Sequence, residues 1–137
     1  MLYPEPMDIR VNEPFGTKPT LEFTSPTAPE GLEVIVLSEG DGPEVKAGDQ
    51  ISAHYLGQIW DGDVFDNSFD RGAPLDFRVG VGMVIRGWDE GLIGQRVGSR
   101  VLLSIPSAMG YGARGVPGTA IKGGDTLVFV TDIVSAR

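Results

Sequence analysis

At 137 residues the chain suits a single domain with a sizeable core. Its 19 acidic and 11 basic residues give a net charge of −8, which argues against the clustered basic face that nucleic acid or an anionic membrane surface requires. No cysteine is present, so a disulfide, a thiolate metal site and a thiol nucleophile are all excluded.

Residues 1–30 hold six of the ten prolines but only one of the twenty glycines, with no sustained helical or strand period. The first residues carry an early acid and two prolines and lack a basic segment followed by an apolar one, so no signal peptide is expected and the cytoplasm is the default location. No later apolar run approaches the roughly 20 residues of a membrane span. The segment reads as a Pro-rich, acidic N-terminal extension, extended and solvated. The other reading is an arm that packs on the domain through Tyr3, Phe15 and Phe23.

From Gly31 onward the pattern is strand and turn, and residues 31–137 form the domain proper. Leu32–Leu37 reads as a first strand, ended by the turn-rich Glu39–Pro43. Gln50–Leu56 alternates, with Ile51, Ala53 and Tyr55 on one face. Asp61-Gly-Asp63 is a turn into Val64–Asp66. Leu75–Val79 alternates again, with Leu75, Phe77 and Val79 inward. A short helix is expected over 86–93, with Asp89 and Glu90 at the positive end of its dipole and Trp88 pointing inward. Ser99–Ile105 and Asp125–Ile133 supply two longer strands, whose inward sets are Val101, Leu103 and Ile105, then Leu127, Phe129, Thr131 and Ile133. Between them runs the long Gly-rich loop Pro106–Gly124, and long loops in compact domains are usually functional. Several antiparallel strands around one short helix make an α+β domain.

The familiar chemical motifs are missing. Gly80-Val-Gly82 lacks the third glycine of a dinucleotide fingerprint, because Ile85 stands in its place. Asp61-Gly-Asp63 starts like a calcium loop, but Phe65 occupies loop position 5, where an oxygen ligand belongs. His54 is the only histidine, and with Tyr55 inward it faces outward. No metal site, cofactor or conventional acid–base machinery is expected. What stands out is an aromatic set drawn from different elements: Tyr55, Phe65, Phe77, Trp88, Tyr111 and Phe129. These could simply fill the core of a small β-rich domain. Trp88 at a helix start and Tyr111 between two glycines of a loop point instead to a pocket, with the indole as a flat apolar floor.

Five stretches carry a resemblance: Ala53-His-Tyr-Leu-Gly57, Asp63-Val-Phe-Asp-Asn-Ser68, Val84-Ile-Arg-Gly-Trp-Asp-Glu-Gly91, Ala108-Met-Gly-Tyr-Gly112 and Asp125-Thr-Leu-Val-Phe129. In order and spacing the chain from Gly31 resembles the FKBP-type peptidyl-prolyl cis-trans isomerases, the immunophilins that bind tacrolimus and rapamycin, in a minimal single-domain, bacterial-like form. The resemblance implies a five- to six-stranded antiparallel sheet wrapped around one short helix. It implies a monomer that accelerates rotation about X-Pro bonds in polypeptides and assists folding. Tyr55, Asp66 and Tyr111 would be the catalytic polar groups. Phe65, Arg71, Leu75, Phe77, Val84, Ile85, Trp88, Ile121 and Phe129 would bind the substrate. Trp88 would underlie the proline ring, the Ile85 N–H and Tyr111 hydroxyl would donate to substrate carbonyls, and Ile121 would close over the ligand. Leu75 and Met109 stand where many relatives have aromatic residues. The alternative is a module that grips a proline-containing segment or a macrolide without turnover.

Overall fold

The computed structural model describes residues 8–12 and 14–137. Its elements in chain order are β1 (Ile9–Val11), β2 (Leu21–Phe23), β3 (Glu33–Ser38), β4 (Gln50–Ile59), β5 (Val64–Asn67), β6 (Leu75–Arg78), α1 (Arg86–Leu92), β7 (Arg100–Ile105), a 3-10 turn at Ser107–Met109, and β8 (Leu127–Ala136). Strands β3-β7-β8-β4-β5 lie side by side, and β6 also pairs with β4. Every pairing is antiparallel. One edge of β4 serves two partners in turn: Gln50–Ala53 pairs with β6, and Leu56–Gln58 pairs with β5. This switch carries β5 over the end of the sheet where Tyr55, Gly57 and Phe129 lie.

Alternation along the strands builds the main core. Ile51, Ala53 and Tyr55 of β4, Phe77 of β6, Val101, Leu103 and Ile105 of β7, and Leu127, Phe129 and Ile133 of β8 all face α1. The helix lies very close to the sheet. A Cβ on Gly87 would stand 2.5 Å from Ile105, and one on Gly91 would stand 2.4 Å from Leu103. Only glycine permits this approach, which seats Trp88 directly against the sheet. Ile85 immediately before the helix is extended (φ −58°, ψ 149°), so its N–H lies outside the helical ladder. Asp89 does more than complement the helix dipole: its carboxylate accepts the N–H groups of Gly80 at 2.7 Å and Gly82 at 2.9 Å.

The other face of the sheet departs from the expected inward-and-outward alternation. Leu102, Val128 and Val130 point away from α1 and yet are fully buried, as is Ile9, with Trp60 largely buried beside them. Their cover comes from the N-terminal segment. In it β1 and β2 pair with Ile9 opposite Phe23 and Val11 opposite Leu21, and Phe23 meets Trp60 edge to face at 5.0 Å. The Trp60 indole N–H donates to the Ser25 carbonyl at 3.0 Å. Residues 8–30 therefore contain strand that the sequence pattern does not announce, because two three-residue strands are too short to establish a period. The packing runs through Ile9, Val11, Leu21 and Phe23. Phe15 is 39% exposed, and Tyr3 lies outside the described residues. The same segment seals a buried ion pair: Arg100 Nε donates to Asp132 Oδ1 at 2.7 Å, Gly16 N–H donates to Asp132 Oδ2 at 2.8 Å, and the Arg100 guanidinium also reaches the Thr17 carbonyl. A desolvated pair of this kind persists because further hydrogen bonds satisfy its remaining valences.

Candidate active site

A cavity of about 540 Å³ opens between β5, α1 and the long loop. Trp88, 3% exposed, forms part of its lining together with Tyr55, Phe65, Leu75 and Phe129. The rings hold one another at angles that favour aromatic quadrupoles. Tyr55 stands edge-on to Trp88 at 5.2 Å and 89°, Phe129 is tilted against Trp88 at 5.2 Å, and Phe65 meets Phe129 edge-on at 5.6 Å. Phe77 stacks on Trp88 at 5.2 Å and 20° and lies outside the cavity lining, so it backs the indole.

A polar cluster sits at one side of the cavity. The Tyr55 hydroxyl donates to Asp66 Oδ2 at 2.5 Å. Arg71 donates to Asp66 Oδ1 at 2.7 Å and to the Tyr55 oxygen at 2.9 Å, with its guanidinium 5.5 Å from the Tyr55 ring centre. Burial, reinforced by the hydrogen bond to Asp66 and opposed by that from Arg71, pushes the Tyr55 phenol above its usual pKa of 10.0. At neutral pH it remains a protonated donor. Arg71 itself does not line the cavity; it holds the two residues that do. Its position follows from the turn after β5. Ser68 is fully buried, and its hydroxyl accepts the Tyr55 N–H at 2.7 Å. Asn67 and Asp70 close the turn through a 2.8 Å bond from the Asp70 N–H to Asn67 Oδ1.

Met83, Val84, Ile85, Gly110 and Tyr111 complete the lining. Tyr111 follows the 3-10 turn and is 40% exposed. Its loop is fixed by Gly112 N–H to the Ser107 carbonyl at 2.7 Å and Gly124 N–H to the Gly112 carbonyl at 3.0 Å. Among the described residues no group of three or more His, Asp or Glu side chains is arranged to hold a metal. The chemistry on offer is an aromatic chamber with a tied phenol, carboxylate and guanidinium at its edge.

The sequence profile of the FKBP-type peptidyl-prolyl cis-trans isomerases matches residues 42–134. The chain belongs to this family. An FK506-binding protein of Streptomyces anulatus is 44% identical over 119 residues, covering 86% of this chain and 96% of that protein. The peptidyl-prolyl cis-trans isomerase FKBP15-2 of Arabidopsis thaliana is 51% identical over 96 residues, which is 69% of this chain and 58% of that longer protein. In structure, the chain superimposes on the crystal structure of AtFKBP13 with a TM-score of 0.73 at 36% identity, over 82% of this chain and 98% of that one. The protein is thus an FKBP-type prolyl isomerase with the α+β architecture of that family.

Within the isomerase, most of the residues expected at the site meet at one place: Tyr55, Phe65, Asp66, Leu75, Val84, Ile85, Trp88, Tyr111 and Phe129 all line the cavity. Ile121 does not. It is 6% exposed, belongs to the same buried core cluster as Trp88 and Phe129, and its carbonyl accepts the Val116 N–H at 3.1 Å, which ties the long loop to itself. Met109 likewise packs against the core. Met83 and Gly110 are lining residues that sequence reasoning missed. Met83 adjoins Val84-Ile85 and could have been included on that ground, whereas Gly110 offers only backbone and leaves no side-chain signal. His54 faces away from the cavity, with Nδ1 2.8 Å from the Ser68 hydroxyl and its ring stacked on Phe69 at 5.0 Å.

Proposed function

We propose that the aromatic cavity is where the isomerase receives the proline of an X-Pro segment and where the bond rotates. Rotation faces a barrier of roughly 20 kcal/mol because the planar amide must give up its resonance. No covalent step to a side chain is needed. The twisted amide is less polar than the planar one, so a chamber that excludes water penalises the transition state less than the ground state. Trp88 underlies the ring while Tyr55, Phe65 and Phe129 hold its sides, so one half of the bond is fixed as the other turns. The Ile85 N–H and the Tyr111 hydroxyl donate to substrate carbonyls. Asp66 sits at the edge with Tyr55, and Arg71 keeps both in place. A thousandfold acceleration asks for only about 4 kcal/mol of differential stabilisation.

The observation that carries this reading is the Tyr55–Asp66–Arg71 cluster at the border of a chamber containing Trp88. A pocket built only to grip an apolar ring has no need of a tied phenol–carboxylate–guanidinium set. The same chamber would accept tacrolimus- and rapamycin-type macrolides. We further propose a monomer acting in the cytoplasm, a reading supported by the absence of cysteine and by the protein's own N-terminal segment covering the outer face of the sheet.

Fluorescence tests occupancy. The chain has two tryptophans, and in a Trp60→Phe background Trp88 alone emits. Addition of a Leu-Pro peptide or rapamycin is expected to change that emission saturably. Emission that stays constant at saturating ligand would overturn the placement of the site.

A further inference from the structure

One feature at the cavity mouth is not used by isomerisation itself. Val81 is 53% exposed and Met83 65% exposed, and both lie on the segment leading into Val84 and Ile85. Scattered apolar residues on a surface are ordinary. These two are on a segment held firmly in position. Gly80 and Gly82 adopt left-handed conformations, φ 84° and 81°, and Asp89 binds the N–H of each. The backbone is thereby pinned to α1 on either side of Val81. Farther from the cavity, Gly80 lies beside Ile93, itself 38% exposed; a Cβ on Gly80 would stand 3.3 Å from the Ile93 side chain. Exposed apolar residues thus form a strip along the chain, from Met83, which lines the cavity, to Val81, with Ile93 beside the neighbouring Gly80.

We infer that this strip is a substrate-selecting shelf, with Met83 and Val81 receiving an apolar side chain of the bound polypeptide that lies two or three residues from the proline. The inference rests on the proposed placement of the proline over Trp88. A substrate whose carbonyl accepts from the Ile85 N–H must run past the preceding residues. Met83 lines the same cavity as Ile85, so the substrate chain on that side of the proline meets it within two or three residues, at about 3.3–3.6 Å per residue. An apolar substrate side chain there shields exposed methionine and valine from water, while a carboxylate loses hydration and gains no partner. The shelf selects by a residue outside the X-Pro pair, and its occupant is part of the substrate itself.

The test is a set of peptides with a constant Leu-Pro pair. The residue two or three positions before the proline, or two or three after it, is set in turn to Leu, Ala, Glu or Lys, and kcat/KM is measured for each. The wild type is expected to favour Leu over Glu by about fivefold at one end, the worth of burying roughly half a leucine side chain. Met83→Leu should keep that ratio. Met83→Glu should abolish it and raise the Lys peptide above the Glu peptide, and Val81→Lys should shift the order the opposite way. Equal kcat/KM for Leu and Glu peptides at every varied position, or a preference that Met83→Glu leaves intact, would overturn the shelf. So would a concentration-dependent dimer that Val81→Lys dissolves while the peptide ratios stay fixed. A wild type that accelerates none of the peptides would instead overturn the reading of the cavity, and the shelf with it.

Discussion

Gly57→Ala is a sharp probe of whether the aromatic walls do the work. Gly57 lies in β4 opposite Phe129 of β8 and Asp66 of β5. A Cβ added there would stand 2.7 Å from Phe65 Cζ, 2.8 Å from Phe129 Cε1 and 3.0 Å from Phe65 Cε1. Its φ is not in the left-handed region, so the backbone accepts alanine and the whole effect is steric. To recover ordinary contact at 3.4 Å, the closest ring atoms must retreat by roughly 0.6 to 0.7 Å. Both rings line the cavity, and their edge-to-face contact with each other must shift as well. Overpacking on this scale costs about 1–3 kcal/mol of stability, a lowering of the melting midpoint by roughly 4–12 °C. Displacing groups by about 1 Å can cost a hundredfold in rate, so kcat/KM for a Leu-Pro peptide is expected to fall about tenfold or more. The assay is cis-to-trans kinetics well below the midpoint, with circular dichroism to verify the fold. A folded Gly57→Ala protein with wild-type kcat/KM would refute the assignment of Phe65 and Phe129 as working walls.

Asp66→Val removes the acceptor that ties Tyr55 and Arg71; discounted for half exposure, turnover should fall about tenfold while rapamycin binding weakens much less, and equal proportional losses in the two assays would count against a catalytic role. Ile9→Ala empties a fully buried position beneath the N-terminal segment and should cost about 2–5 kcal/mol in urea unfolding with kcat/KM unchanged. Asp132→Ala removes the buried carboxylate that accepts from Arg100 and from the Gly16 N–H and should cost about 3–5 kcal/mol in urea unfolding. Because the Tyr55 phenol is raised by burial and by Asp66, its contribution to stability is complete below pH 10.0 and is lost as pH rises through the higher folded value. Phenolate absorbance of the native protein should therefore include a late-titrating component that Tyr55→Phe removes.

Where one periodic face decides burial, the sequence was readable. The alternation of β4 and β8 identifies Tyr55 and Phe129 as inward, and the Trp88 segment reads as a helix start over the right residues. The five family motifs then bring Phe65, Asp66 and Tyr111 to the same chamber. What escaped was contact made by short or aperiodic chain. Ile9-Arg-Val11 and Leu21-Glu-Phe23 offer two apolar positions each, too few to separate strand from solvated leader, and only their pairing across the sheet gives them a face to cover. Val128, Val130 and Asp132 alternate like a wet face and are buried because that cover arrives from distant sequence. Arg100 and Asp132 look like surface charges for the same reason. Ile121 was not legible because a loop residue between Gly118 and Gly123 has no pattern to say whether it points outward or inward; it is buried in the main core. The Streptomyces anulatus relative aligns over 86% of the chain, more than residues 31–137 provide, so the likeness extends into the N-terminal segment.

The most direct test of the central claim is the cis-to-trans rate of a short Leu-Pro peptide with and without the protein, repeated with one equivalent of rapamycin and again with Trp88→Ala. Acceleration that rapamycin abolishes and that Trp88→Ala reduces by at least about tenfold is the expected result, because drug and proline would occupy the same indole-lined chamber. Acceleration untouched by both would move the chemistry away from this cavity, and rapamycin binding without acceleration would leave a gripping module in place of an isomerase.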